Sequence, residues 1–177
     1  AYTALPALVA TLLLAGCSNP EQEKQEYFTN ANAFLAQKKY SEAIVEYRNA
    51  IRIDEKFGEA RFKLAEAYEA SGNANGAYNE YIRAADLMPS NLPAQLKAAQ
   101  FLLLAGQFLD AKTRAERVLA GDAKNVEAQI LVGNALAGMK DMAGAIEQLE
   151  EAIKLEPGRS QSYTNLAMLR MVQGDRD

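Results

Sequence analysis

Residues 58–91 read GEARFKLAEAYEASGNANGAYNEYIRAADLMPSN, and the placing of small, large and helix-breaking residues within these 34 positions decides the fold. Counting Gly58 as position 1, small residues stand at positions 8, 20 and 27 (Ala65, Ala77, Ala84), and large ones stand beside them at 11 and 24 (Tyr68, Tyr81). Small side chains let two helix axes approach, and the larger neighbours fill the space that remains. Gly72 at position 15 marks a turn between two helices, and Pro89 stops the second one. The stretch therefore predicts one hairpin of two antiparallel helices.

The same pattern recurs on either side. Shifting the chain by 34 residues aligns 24–57, 58–91, 92–125 and 126–159 without insertion, and 160–177 begins a fifth unit. Position 8 holds Ala31, Ala65, Ala99, Gly133 and Ala167, and position 20 holds Ala43, Ala77, Ala111 and Ala145. Position 27 holds Ala50, Ala84, Val118 and Ala152. Larger residues follow at position 11 (Phe34, Tyr68, Leu102, Leu136) and at 24 (Tyr47, Tyr81, Leu149), where Ala115 is the exception. Position 15 is Gly or Lys throughout: Lys38, Gly72, Gly106, Lys140 and Gly174. A coiled coil or four-helix bundle would need heptad spacing and loops of variable length, and neither is present.

This pattern resembles the tetratricopeptide repeat, and the resemblance runs over most of the chain. It implies an all-α fold, a right-handed superhelix in which helix A of each unit packs on its own helix B and on the next helix A. It also implies a concave groove lined by the A helices. Some positions depart from the pattern. Asn30 stands at a usually apolar position 7, and Ala98 and Ala115 leave the third unit short of volume unless Phe101 and Phe108 replace it. Otherwise the third unit is expected to be the weakest interface of a stack stabilised by nearest-neighbour terms. In the fifth unit Arg170 stands at position 11 and Leu166 is expected to lack a partner, so further repeats or a capping helix are expected after Asp177.

Composition excludes several function classes. Val, Ile and Thr are too few for a sheet protein, whereas Ala is abundant. Nineteen basic and 23 acidic residues give a net charge of −4 with no basic run, the wrong sign for following a phosphate backbone. With no His and one Cys, the usual general base, the common metal ligands and any internal disulfide are missing. Neither catalysis nor a cofactor or metal is expected, and nucleic acid is not an expected partner.

The N-terminal residues carry a separate signal. Residues 1–16 hold no charge and include an apolar run too short for a membrane span, which suits a signal-peptide core. The run ends in Leu14-Ala15-Gly16-Cys17, which resembles the lipobox of bacterial lipoproteins. That resemblance implies a signal peptide over 1–16, lipidation of Cys17, and residues 17–23 as lipidated cysteine and short tether, extended to about 20 Å over six residues. By resemblance to Gram-negative lipoproteins, Ser18 after the cysteine, in place of Asp, implies sorting to the periplasmic face of the outer membrane. The alternatives are an apolar helix packed on the array, or an uncleaved anchor with Cys17 as an inert thiol. Because neither Met nor a basic segment precedes the apolar run, the sequence is expected to be clipped at its start.

The resemblance also implies where a partner binds, at positions 2, 5, 9, 12 and 13 of the A helices. Those positions place Phe28, Asn32 and Leu35 in the groove, then Glu59, Phe62, Glu66 and Glu69, then Leu96, Gln100, Leu103 and Leu104. The fourth unit adds Ile130 and Asn134, and the fifth adds Met168, Met171 and Val172. Phe28, Phe62, Leu96 and Ile130 at position 5 form an apolar stripe suited to an apolar peptide or an amphipathic helix. The stripe has a second reading, as core seen edge-on, which burial decides. The Lys-based clamp of chaperone-binding relatives is not carried over, because position 5 is apolar throughout. The expected function is a membrane-anchored scaffold of the bacterial cell envelope serving assembly, secretion or exopolysaccharide export. The alternatives are the regulatory or substrate-docking arm of an enzyme whose catalytic domain lies beyond residue 177, or self-assembly through the last repeat.

Overall fold

The 34-residue period becomes a row of helix hairpins. The structure is a computed structural model describing residues 19–174, so Cys17, the lipobox and the signal-peptide segment lie outside the described residues. Among the described residues there are nine helices and no strand. Repeat 1 consists of α1 (Pro20–Ala36) and α2 (Tyr40–Ile53), and repeat 2 of α3 (Gly58–Ala70) and α4 (Ala74–Leu87). Then come α5 (Leu92–Leu104) and α6 (Phe108–Gly121), α7 (Val126–Gly138) and α8 (Met142–Leu155), and the single helix α9 (Ser160–Gln173).

Helix starts are set locally. Asn73, Asn91, Asn125 and Asp141 each accept a hydrogen bond at 2.9–3.0 Å from the backbone N–H three residues on, satisfying a donor that the first turn leaves unpaired. Asn19 caps α1 in the same way through Glu21 N–H, with Pro20 at the first helical position and Glu21 and Glu23 in the first turn. This corrects the tether: Pro20 to Glu23 are helical, because a cap, a proline at that position and acidic residues near a helix N-terminus all favour helix. Only Ser18 and Asn19 separate Cys17 from α1.

A-helix ends are equally regular. Position 15 is left-handed in every unit: Lys38 at φ 59°, Gly72 at 82°, Gly106 at 74°, Lys140 at 67° and Gly174 at 87°. The next N–H then reaches back to the carbonyl at position 11, in the bonds Lys39 to Phe34, Asn73 to Tyr68, Gln107 to Leu102 and Asp141 to Leu136, all at 2.8–2.9 Å. This is the Schellman closure, and it ends helix A in the same way in the first four units.

Packing follows the sequence periodicity. Tyr47, Tyr81 and Leu149 at position 24 are completely buried among the alanines of positions 8, 20 and 27. Removing such a side chain from a core costs about 3–5 kcal/mol, a large share of the roughly 5–15 kcal/mol that keeps a typical domain folded. Where repeat 3 has only Ala115, two phenylalanines replace the volume from other positions. Phe101 packs on the Tyr81 ring of repeat 2 with centroids 5.1 Å apart. Phe108 packs with Leu102, Ala111 and Ala135, and lies over Gly138 so closely that a Cβ there would overlap its ring. Leu166 is also not without a partner, since it packs with Leu169 on Ile130, Leu149 and Ala152 of repeat 4. Position 7 faces the preceding repeat, which explains both that contact and the exposure of Asn30, in front of which no described repeat stands.

Successive A helices touch, α1 with α3, α5 with α7 and α7 with α9. Successive B helices instead leave open wedges, one between α2 and α4 and another between α4 and α6. The A helices therefore line the inside of the curve and the B helices its outside.

Candidate functional site

On the inner face the A helices enclose a depression of about 310 Å3 between α5 and α7, lined also by Glu69 of α3 and Gln161 of α9. Six of the sequence-derived groove residues border it: Glu69, Gln100, Leu103, Leu104, Ile130 and Asn134. Phe101, Leu131, Glu127 and Gln161 complete it. Glu127 and Gln161 stand at position 2, a groove position in the family pattern. Phe101 and Leu131, at positions 10 and 6, are found only once neighbouring repeats are packed. Apolar side chains make the floor, and carboxylate and amide groups make the rim.

The position-5 stripe divides into two classes. Phe28 is 6% exposed, between the rings of Tyr47 (5.9 Å) and Phe57 (4.8 Å), and belongs to the core rather than to a contact surface. Ile130 is 2% exposed and touches the depression only as its deepest floor. Phe62 and Leu96 are half-buried. The cause is the end geometry of the stack: α1 closes down on Phe57 of the following loop, and Ile130 is covered by α9 residues Leu166 and Leu169. On the A helices the exposed apolar surface lies instead at Leu104 of position 13, 81% exposed, and in α9, where Met171 is 71% exposed with Met168 and Val172 beside it.

The polar residues are held by partners. Asn32 accepts a hydrogen bond from the buried Tyr47 hydroxyl at 2.7 Å, and Glu66 pairs with Lys63 at 2.9 Å. Glu69 accepts from the Tyr81 hydroxyl at 2.6 Å and from Lys97 at 3.0 Å, while Lys97 lies 5.5 Å above the Tyr81 ring. Partial burial pushes the Glu69 carboxyl up, but the hydrogen bonds from Tyr81 and Lys97 outweigh it and hold the group below its ordinary value. Burial, aided by the bonded Glu69 carboxylate, pushes the Tyr81 hydroxyl far up, so it remains a donor at any ordinary pH. Gln100 donates to Glu127, and Asn165 of α9 donates to Asn134 at 3.0 Å. Leu35 is half-buried against the first-repeat core, away from the depression. The site thus presents a preformed apolar floor under an acidic rim. Among the described residues no group of His, Cys, Asp and Glu is arranged to hold a metal ion.

Comparison with known proteins agrees with this architecture. A family model described as TPR repeat matches residues 31–72, and one described as tetratricopeptide repeat matches residues 96–175, together more than half of the chain. Among solved structures, MamA from Desulfovibrio magneticus RS-1 is similar at TM-score 0.77 and 20% identity, covering 86% of each chain. YrrB, described as a TPR protein with an unusual peptide-binding site, is similar at TM-score 0.78 and 17% identity, covering 89% of this chain and 81% of that one. The Pseudomonas aeruginosa protein pilF is similar at TM-score 0.66 and 19% identity, covering 88% of this chain and 71% of that one. No curated protein sequence matches the chain significantly.

Proposed function

The chain belongs to the tetratricopeptide repeat family, and from that premise we propose that it is a lipid-anchored scaffold of the bacterial cell envelope holding an amphipathic helix of a partner protein in its concave face. The observation that carries this reading is the depression between α5 and α7, with leucines in its wall and Glu69 and Glu127 on its rim. An apolar floor receives one face of a helix, and Glu127, bonded only to the neutral Gln100, favours a basic residue flanking that face. The peptide-binding site named for YrrB supports the same use of the fold.

Anchoring is the second half of the proposal. Lipidation of Cys17 supplies the membrane hold, since two or more acyl chains give stable attachment where one does not. With two residues between Cys17 and α1, such an anchor would hold the first repeat close to the membrane surface.

Two measurements test the halves separately. Labelled palmitate is incorporated into the wild-type chain and absent from Cys17→Ser if the anchor is right; equal labelling removes it. Photocrosslinking from Leu104 in isolated membranes captures one partner, and Leu104→Glu lowers its recovery at least tenfold. Undiminished recovery with Leu104→Glu removes the groove assignment.

A further inference from the structure

The outer wedge between α2 and α4 is a cleft of about 620 Å3 lined by Arg48, Arg52, Arg61 and Arg83 against Glu55 and Glu80. Four arginines against two glutamates leave it an excess of two positive charges. Glu80 is taken by Arg61 of α3 at 2.7 Å and by Arg83 of its own helix at 3.3 Å, and Arg61 also donates to the Glu55 backbone carbonyl at 2.9 and 3.0 Å. Arg48 and Arg52, one helical turn apart on α2, form no hydrogen bond or ion pair with another side chain among the described residues.

The repeat provides its own control. In the next wedge, between α4 and α6, the places of Arg48 and Arg52 are held by Ile82 and Asp86, and Asp86 pairs directly with Arg114 across the wedge. At the corresponding positions of α6 and α8, Glu116 and Glu151 stand where α2 and α4 carry Arg48 and Arg83. Of these two wedges only the first carries excess positive charge, in a chain whose net charge is −4.

We propose that the wedge between α2 and α4 binds a phosphate-class oxyanion through Arg48 and Arg52, with Arg83 on the opposite wall. Guanidinium groups present paired N–H donors that match phosphate oxygens, and several arginines lining one cleft favour a compact multiply charged anion. An extended acidic peptide following the outer face would pass from this basic wedge onto the second one, where Asp86 and Asp110 balance Arg114 and Arg117. The site is separate from the concave groove and does not depend on it. The phosphate can belong to a soluble compound or to a lipid headgroup.

Calorimetry with inorganic pyrophosphate, on the full chain carrying Cys17→Ser so that no acyl chain intervenes, reads the site directly. Binding should weaken at least tenfold in Arg48→Gln/Arg52→Gln and remain unchanged in Arg117→Gln of the second wedge. Sedimentation with phosphatidylglycerol vesicles, compared with phosphatidylcholine, separates the sources: Arg48- and Arg52-dependent retention assigns a headgroup, and pyrophosphate binding without it assigns a soluble phosphate. An unchanged thermal melt shows that the double variant is folded, since both arginines are exposed. Absence of both pyrophosphate and vesicle binding, equal binding by the double variant, or capture of a polyglutamate peptide in place of pyrophosphate overturns the proposal.

Discussion

The hydroxyl of Tyr81, a side chain with no exposed surface, reaches from the core to the Glu69 carboxylate on the concave face at 2.6 Å. The same tyrosine thus fills the repeat interior and fixes a charge at the binding surface. Tyr47 does likewise for Asn32 one repeat earlier.

Tyr81→Phe keeps the ring and removes the donor. It is expected to destabilise the fold by about 1–2 kcal/mol, as for a lost hydrogen bond to a charged group, and to return the Glu69 pKa toward 4.5. Carbon-detected NMR titration of Glu69 in both proteins measures the shift, and urea unfolding measures the loss.

The same pair sets a pH dependence. Because Glu69 titrates below 4.5 in the folded state, its contribution is fully present above that value and disappears as pH falls through the lower, folded value. Lys97→Met removes a second donor and should flatten the acid limb of the thermal-stability profile in this window, leaving the profile above pH 6 parallel to wild type.

Gly138→Ala places a methyl group on the Phe108 ring. The expected destabilisation is about 1–3 kcal/mol, typical of overpacking. In a Phe108→Ala background the same change should cost less than about 0.5 kcal/mol, since the clash is gone. Chemical denaturation of the four proteins completes the cycle, and equal costs in both backgrounds would show that the ring does not set the limit.

Lys38 and Lys140 carry side chains at left-handed positions where the other repeats use glycine. Left-handed backbone costs a non-glycine residue roughly 1–2 kcal/mol, partly offset because glycine loses more entropy on folding. Lys140→Gly should therefore stabilise by about 0.5–1 kcal/mol, and Gly106→Ala should destabilise by about 1 kcal/mol. Thermal melts of the two variants should move in opposite directions.

Hydrogen exchange tests the third repeat. Phe101 and Phe108 join it to repeats 2 and 4, so α5 and α6 should exchange no faster than α3 and α4. Phe101→Ala, which removes the ring packed at a tilt on Tyr81, should speed exchange in α3 to α6 together, because neighbouring repeats open as coupled units.

What the sequence determined by itself was everything that repeats: two helices per unit, their lengths, the left-handed turn at position 15 and the alanines that let helices approach. Those features are local or recur at fixed separation, so one stretch, 58–91, was enough to read them. Tertiary structure alone decided how non-equivalent residues substitute for one another. Phe101 supplies volume from position 10 that Ala115 lacks at position 24, which no alignment of like positions reveals. It also decided that Phe28 and Ile130 are core while Phe62 and Leu96 remain half-exposed, although all four occupy position 5, because burial depends on what the ends of the stack place over them. The basic wedge has the same origin. Arg48 and Arg83 are far apart in sequence and at different positions of the repeat, and only the splaying of α2 from α4 brings their charges to one cleft.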